Sequence, residues 1–481
     1  MSAQTGLSQV TASPQVSSEL VNDDLLPSPQ KWNWYDIFAF WMSDVHSVGG
    51  YVFAGTLFAL GLQSWQILLV LIVGICIVMG LANLIARPSQ QSGVPFPVIA
   101  RLSFGVYGAN IPAAIRGIIA IVWYGIQTYL ASITLSIILL RLFPGMAALT
   151  SQTFLNLSLL GWISFMVMWC LQTALFLMKM NAIKLFMSVA GPAVYVAMLL
   201  LMGWIIHEAG WSNISFSLSE RTLSPSQAFW QSLVAISLIV AYFAGPVLNF
   251  GDFSRYCRSM KEVRRGNFWG LPVNFTVFSL ISVIVISGTP TVFGRMIDDP
   301  METIRHIDNT MIVVLLAFTL VTATVGVNIV ANFVSAAFDV SNVAPHKISW
   351  RTGGLIAALA SICITPWNLY NSPAVIHNTI EMLAAVLGPV YGILVVDFYL
   401  IRKQVIRIPD LFNNRKDGAY WYRNGINPVA IKSLVPAALV CILCAVVPQL
   451  NLLANFSFFI GLVISGTLYY VLAGRAASNI G

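Results

Sequence analysis

Twelve runs of this chain are apolar for about the length that crosses a bilayer: roughly 34–62, 66–86, 112–140, 156–178, 184–207, 229–250, 267–291, 310–338, 354–368, 376–400, 432–449 and 453–473. A spanning helix needs roughly 20 residues at about 1.5 Å each. In hydrocarbon each backbone amide must find its partner inside the chain, and a run of this length does so as a helix. The expected fold is therefore an all-α polytopic membrane protein with 12 transmembrane helices. Only 9% of the 481 residues are charged, against about 25% in a soluble domain. The net charge of +7 does not imply a nucleic-acid partner, because the basic residues sit in short loops between the spans. Such placement sets topology.

With the N-terminus inside, the outer joints hold only Arg141, Arg221, Arg295 and Arg305. The inner side takes the other basic residues, among them Arg255, Arg258, Lys261, Arg264, Arg265, Arg402 and Lys403. Both termini are thus expected in the cytoplasm of a chain integral to the cytoplasmic (inner) membrane. The polar, Ser-rich segment 1–33 is a cytoplasmic tail without the apolar core of a signal peptide. The polar loop 404–431 separates ten spans from a final pair at 432–473, and 474–481 is a short cytoplasmic tail. The six cysteines lie mostly in apolar runs and suit packing better than disulfides or metal.

Two runs are interrupted. The first carries MSDVHSVGG, residues 42–50, at mid-depth, where Asp costs about 2.5 kcal/mol or more and Gly-Gly is a poor helix interior. The sixth carries Gly245-Pro246 in AYFAGPVLNF. Irregular backbone is tolerated at that depth only where it is buried in protein or lines a wet cavity. Paired interruptions are the sequence pointer to a transporter site. Ten spans then divide into 34–207 and 208–403, each opening on a broken helix. Five is odd, so the second group enters from the opposite side: a five-plus-five inverted repeat with discontinuous helices 1 and 6, plus two C-terminal helices.

In the third run Trp123 and Gln127 are four apart and share a face, and Asn328 and Asn332 do so in the eighth. An indole is a flat stacking surface, and amides supply donors and acceptors together. The set suits a small, planar, neutral heterocycle such as a nucleobase or hydantoin. The alternative for each amide is glue between neighbouring helices. Phe243 is a candidate second stacking surface, or simply packing. Ser47, at the first break, is a candidate hydrogen-bonding group, and Tyr242 is a further candidate. For coupling, the ionisable groups in spans are Asp44, His46 and Glu381; a charge there is functional by default. The alternative for the two carboxylates is a bond to backbone freed by the breaks. Hydrolase triad, phosphate loop and metal-ligand cluster are all missing from the sequence, so an enzyme is not expected. A passive channel for the same solutes is the competing function.

The stretches WMSDVHSV, SGVPFPVIARLSFGVYGANIPAAIRG, VWYGIQTYL, DFSRY, VNIVANFVSAAFDVSNVAP and LGPVYGILVVDFYLIRK resemble the nucleobase–cation symporter-1 family of hydantoin, allantoin, cytosine and uracil permeases. The resemblance runs from about Trp34 to Tyr470. It implies import of a nucleobase or related planar ureide by cation-coupled alternating access. It also implies that Trp123 stacks on the ligand, that Gln127 and Asn332 bond it, and that the second stacking position and a span-one glutamine fall on Phe243 and Ser47. In the sodium-coupled pattern, carbonyls near Ser43, His46 and Ala323 join two hydroxyls. Those hydroxyl positions fall on Gly326 and Val327, which have none, although Thr322, Thr324, Ser43 or Asp44 offers oxygen nearby. Hard cations want oxygen ligands, so H+ is expected as the coupling ion over Na+, with Asp44 or Glu381 as carrier. The identity of the nucleobase or ureide and the oligomeric state are not legible.

Overall fold

The computed structural model describes residues 7–478 apart from 9, 11, 12, 14, 47, 217, 219–221, 298, 299, 308 and 370–372. At 48, 52, 300, 301, 373–384, 451 and 475–478 it describes the backbone alone. The chain is helical almost throughout, with one two-residue hairpin pairing Thr153–Phe154 with Leu157–Ser158. Fifteen helices carry the fold: α1 Trp34–Val45, α2 Val48–Phe58, α3 Ser64–Ser92, α4 Phe96–Phe104, α5 Asn110–Leu142, α6 Leu159–Leu177, α7 Lys179–Ala209, α8 Pro225–Leu248, α9 Gly251–Ser254, α10 Met260–Phe293, α11 Thr310–Val343, α12 Trp350–Cys363, α13 Pro373–Val396, α14 Pro428–Val446 and α15 Ser457–Ser478. Among the described residues, nine are long and apolar enough to cross a membrane, and shorter apolar helices lie at Gly49–Phe58, Trp350–Cys363 and Ala385–Ile401. Large apolar side chains such as Leu185, Val189 and Leu200 point outward, as a lipid-facing surface requires.

Side-chain caps start many of these helices. Asn33 and Asp36 form a capping box on α1, and Ser224 and Gln227 form another on α8. In the first apolar run, α1 stops at Val45, His46 has non-helical φ −82° and ψ 81°, and α2 begins at Val48. The sixth run is not broken where expected. Helix α8 continues through Gly245-Pro246 to Leu248 and gives way to a turn at Asn249-Phe250. Proline removes one N–H, the one that would bond the Tyr242 carbonyl, and a helix that ends two residues later tolerates that loss. Three further irregularities had no sequence signal. Trp269–Val273 within α10, Asn328–Phe333 within α11 and Asp397–Ile401 after α13 are wound as wider π turns, which are frequent at functional sites.

The last two helices are not loosely attached. A Cβ on Gly388 or Gly392 would overlap the backbone carbonyls of Phe458 and Leu462, so bare glycines let α13 and α15 touch main chain to main chain. At the basic end, buried Asp397 accepts from Ser103 (2.9 Å), Tyr469 (2.8 Å) and Arg402 (2.8 Å), joining α4, α15 and the end of the tenth run. From residue 15 to α1 the chain runs as a strap. Arg101 donates to the Leu20 carbonyl (3.3 Å), and Arg255 donates to the carbonyls of Asp24 (3.0 Å), Leu26 and Gly93 (2.9 Å).

Candidate functional site

A cavity of about 70 Å³ lies where α1, α5, α8 and the π turn of α11 meet. Its lining includes Asp44, Trp123, Gln127, Tyr242, Gly245, Pro246 and Asn332. Each wall follows from local sequence. Asp44 occupies the last turn before α1 stops. Trp123 and Gln127 stand one turn apart on α5. Gln127 is buried, and its Oε1 has no partner. A buried acceptor left unpaired costs about 1–3 kcal/mol, so this oxygen favours a ligand that donates to it.

The two asparagines divide their roles. Asn328 is fully buried and donates to the Tyr124 carbonyl (3.0 Å), Thr128 Oγ1 (3.0 Å) and Gln172 Oε1 (2.6 Å). It is the helix glue that the sequence left as an alternative. Asn332, one turn on, reaches the cavity wall and donates its amide to Asn328 Oδ1 at 3.1 Å. Asn328 thereby fixes which way Asn332 presents its remaining polar atoms.

The aromatic pair on α8 reverses the sequence expectation. Phe243 is fully buried behind the wall, edge-on to Trp41 (6.3 Å) and Phe275 (5.4 Å), and does not line the cavity. Adjacent helical residues differ in azimuth by about 100°, so only one of the two can face inward. That one is Tyr242, which lines the cavity and stacks on Phe53 of α2 at 4.4 Å and 10°. His46 also lies away from the cavity. Its Nε2 meets Asn274 Oδ1 (2.9 Å), which also accepts from the Tyr195 hydroxyl (2.7 Å), so it pins the end of α1 to α7 and α10. Ser47 and the side chain of Glu381 lie outside the described residues.

Ser43 and Thr324 are buried, and neither hydroxyl has a partner. A Cβ on Gly326 would stand 3.5 Å from Ser43 Cβ, so α1 and α11 touch there, with buried Ala323 close by in sequence. The unpartnered Ser43 hydroxyl at that contact is an oxygen a hard cation could use. Among the described residues no group of three or more His, Cys, Asp or Glu side chains is arranged to hold a metal ion.

Arg116 was missed. It lines the cavity, is fully buried, and ties two elements together: Nε donates to the Gly245 carbonyl (3.2 Å) and Nη2 to the Ala331 carbonyl (2.6 Å). Its Nη1 has no partner, and among the described residues no ion pair joins it to a carboxylate. The signal was available: Arg116, Trp123 and Gln127 stand at i, i+7 and i+11, one stripe of α5.

Sequence comparison decides the family. The family described as permease for cytosine/purines, uracil, thiamine, allantoin matches residues 27–461. The chain belongs to this permease family. It is a membrane transporter and not an enzyme. Similar members include the allantoin permease of Bacillus subtilis (strain 168), 35% identical over 96% of this chain and 94% of that one. The purine-uracil permease NCS1 of Arabidopsis thaliana is 29% identical over 96% of this chain and 79% of that one. Among solved structures, the chain resembles Mhp1, a nucleobase-cation-symport-1 family transporter, closed with bromovinylhydantoin bound. The TM-score is 0.78 at 21% identity, with 96% of both chains covered. The inward-facing conformation of Mhp1 matches with TM-score 0.74 at 22% identity, over 96% of this chain and 95% of that one. At such identities these likenesses speak for the permease fold.

Proposed function

We propose that this permease imports a small flat ureide or imide, of the allantoin and uracil kind, by proton-coupled alternating access. The observation that carries the proposal is the cavity itself. One indole, one phenol ring and two amides converge beside the end of α1, and one amide oxygen is buried without a donor. A ring lies between Trp123 and Tyr242, with Gln127 and Asn332 reading its amide edge. Aromatic stacking adds about 0.5–1.5 kcal/mol beyond area burial. The 35% identity to an allantoin permease makes allantoin the first ligand to test. Proton coupling is favoured because Gly326 carries no hydroxyl at the α1–α11 contact while Asp44 faces the cavity. Ten spans in two inverted groups, 34–207 and 208–403, a final pair at 432–473, and both termini in the cytoplasm of an inner membrane complete the proposal. A passive facilitator is the rival.

The test is uptake of radiolabelled allantoin, uracil and hydantoin into liposomes carrying the purified protein. Accumulation above the outside concentration under an acid-outside gradient without sodium, lost on adding a protonophore, is expected. Equal concentrations inside and out would favour the facilitator, and strict sodium dependence would reject the proton.

A further inference from the structure

Just past the cavity, where α8 gives way to α9, two carboxylates share one amide. Asn249 Nδ2 donates to Asp252 Oδ2 (3.1 Å) and to Asp339 Oδ2 (3.3 Å). Asp252 is fully buried, and its Oδ1 accepts from the Phe96 amide at 2.8 Å. Asp339 is equally buried, and its Oδ1 has no partner. A Cβ on Gly117 would stand 3.2 Å from Asp339 Cβ, so Asp339 packs on the turn of α5 that carries Arg116. Two buried carboxylates this close do not both ionise cheaply.

The charged groups that reach the pair from surrounding elements are Arg116 on α5 and Arg255 beyond α9. α4 adds the Phe96 amide, and α11 adds the Ser335 hydroxyl. Arg255 is committed to the carbonyls of Asp24, Leu26 and Gly93 and makes no ion pair among the described residues. Arg116 is placed differently. Its charge acts on Asp339, Asp252 and Asp44 together, and its Nη1 is free. Burial pushes the Asp252 carboxyl up, against the Phe96 amide, Asn249 and Arg255, which pull it down.

We propose that the Asp252–Asn249–Asp339 cluster is the station that holds the coupling proton, and that Arg116 links its occupancy to the ligand cavity. The proposal rests on proton-coupled transport. With the proton on the pair, Arg116 stays on the Gly245 and Ala331 carbonyls and ties α8 to α5 and α11 at the cavity wall. When the proton leaves to water, the ionised Asp339 draws the guanidinium and loosens its bond to Gly245. The wall formed by α8 is then free to move. The only bond made and broken is the O–H of a carboxyl group.

The experiment uses the full chain in liposomes, with allantoin, uracil or hydantoin, whichever the wild type exchanges in counterflow. Asp339→Asn mimics the protonated state. It should lose all accumulation under a pH gradient while keeping counterflow at equal pH. Accumulation by Asp339→Asn at the wild-type level overturns the station. So does loss of accumulation with counterflow kept in Asp44→Asn but not in Asp339→Asn. A wild type indifferent to the pH gradient overturns proton coupling itself, which separates the two failures. If Asp339→Asn does not fold, Asn249→Ala decides. Losing an amide that favours the ionised forms makes the pair hold its proton more tightly, so the pH midpoint of transport should move up. An unmoved midpoint overturns the station.

Discussion

Asn328 touches no cavity surface, yet replacing it should weaken ligand binding. Asn328→Ala removes the acceptor that holds the Asn332 amide at 3.1 Å and the donor that serves Gln172 Oε1 at 2.6 Å. The Tyr124 carbonyl is less exposed to the loss, since Thr128 Oγ1 also donates to it at 2.7 Å. The stability cost is then one orphaned buried acceptor, about 1–3 kcal/mol. The affinity cost is one lost tether. Taking for this bond within α11 the range measured between membrane helices, about 0.6 to about 1.7 kcal/mol, gives a rise in Kd of roughly 3- to 20-fold. The assay is ligand-dependent thermal shift or radioligand binding on Asn328→Ala, Asn332→Ala and the double variant. If Asn328 acts only by orienting Asn332, the double variant binds no worse than Asn332→Ala alone. Additive losses, or full affinity in Asn328→Ala, would refute the division of labour between these two residues.

Neighbouring aromatics on α8 should separate cleanly. Tyr242→Ala is expected to reduce affinity with little loss of stability, whereas Phe243→Ala should cost about 3–5 kcal/mol of stability as a core truncation; unfolding temperature and Kd on both variants check this. Gly388→Ala should destabilise the protein by overlap with the Phe458 carbonyl, while Gly245→Ala, whose Cβ would stand 3.5 Å from Arg116 in ordinary contact, should fold normally. Equal unfolding temperatures for the two glycine variants would contradict the close approach of α13 and α15.

The all-α membrane fold was legible because hydrocarbon leaves a long apolar run little choice but a helix, and the first run stood out because charge and Gly-Gly are so heavily penalised there that Asp44 and Gly49-Gly50 have few uses in an unbroken helix. The interruption of the sixth run was misplaced because one proline near a helix end is tolerated. Both rings of the neighbouring pair stood as candidates because composition gives no azimuth: Tyr242 and Phe243 are both apolar enough to face either way, and it is Tyr242 that lines the cavity. Spacing showed that Asn328 and Asn332 share a face, but the π turn that separates glue from wall leaves no trace in residue types. Arg116 was hidden by its position near the start of a run, where a basic residue reads as an anchor at the interface. The depth at which a long side chain ends depends on what it reaches, and here it reaches carbonyls on two other helices.

The strap ahead of α1 carries a consequence for how this protein tolerates change. Arg255 reaches it through the main-chain oxygens of Asp24 and Leu26 and the Ser28 hydroxyl, and Arg101 through the Leu20 carbonyl. Peptide oxygens are the same whatever residue bears them. Exposed positions along this stretch whose side chains make no contact of their own should therefore tolerate replacement, unlike Asn22, Asp24, Ser28 and buried Leu25, whose side chains are engaged. Inserting or deleting a single residue anywhere along it would slide the wrong oxygens past two fixed guanidinium forks. Spelling is loose there in places; counting is not.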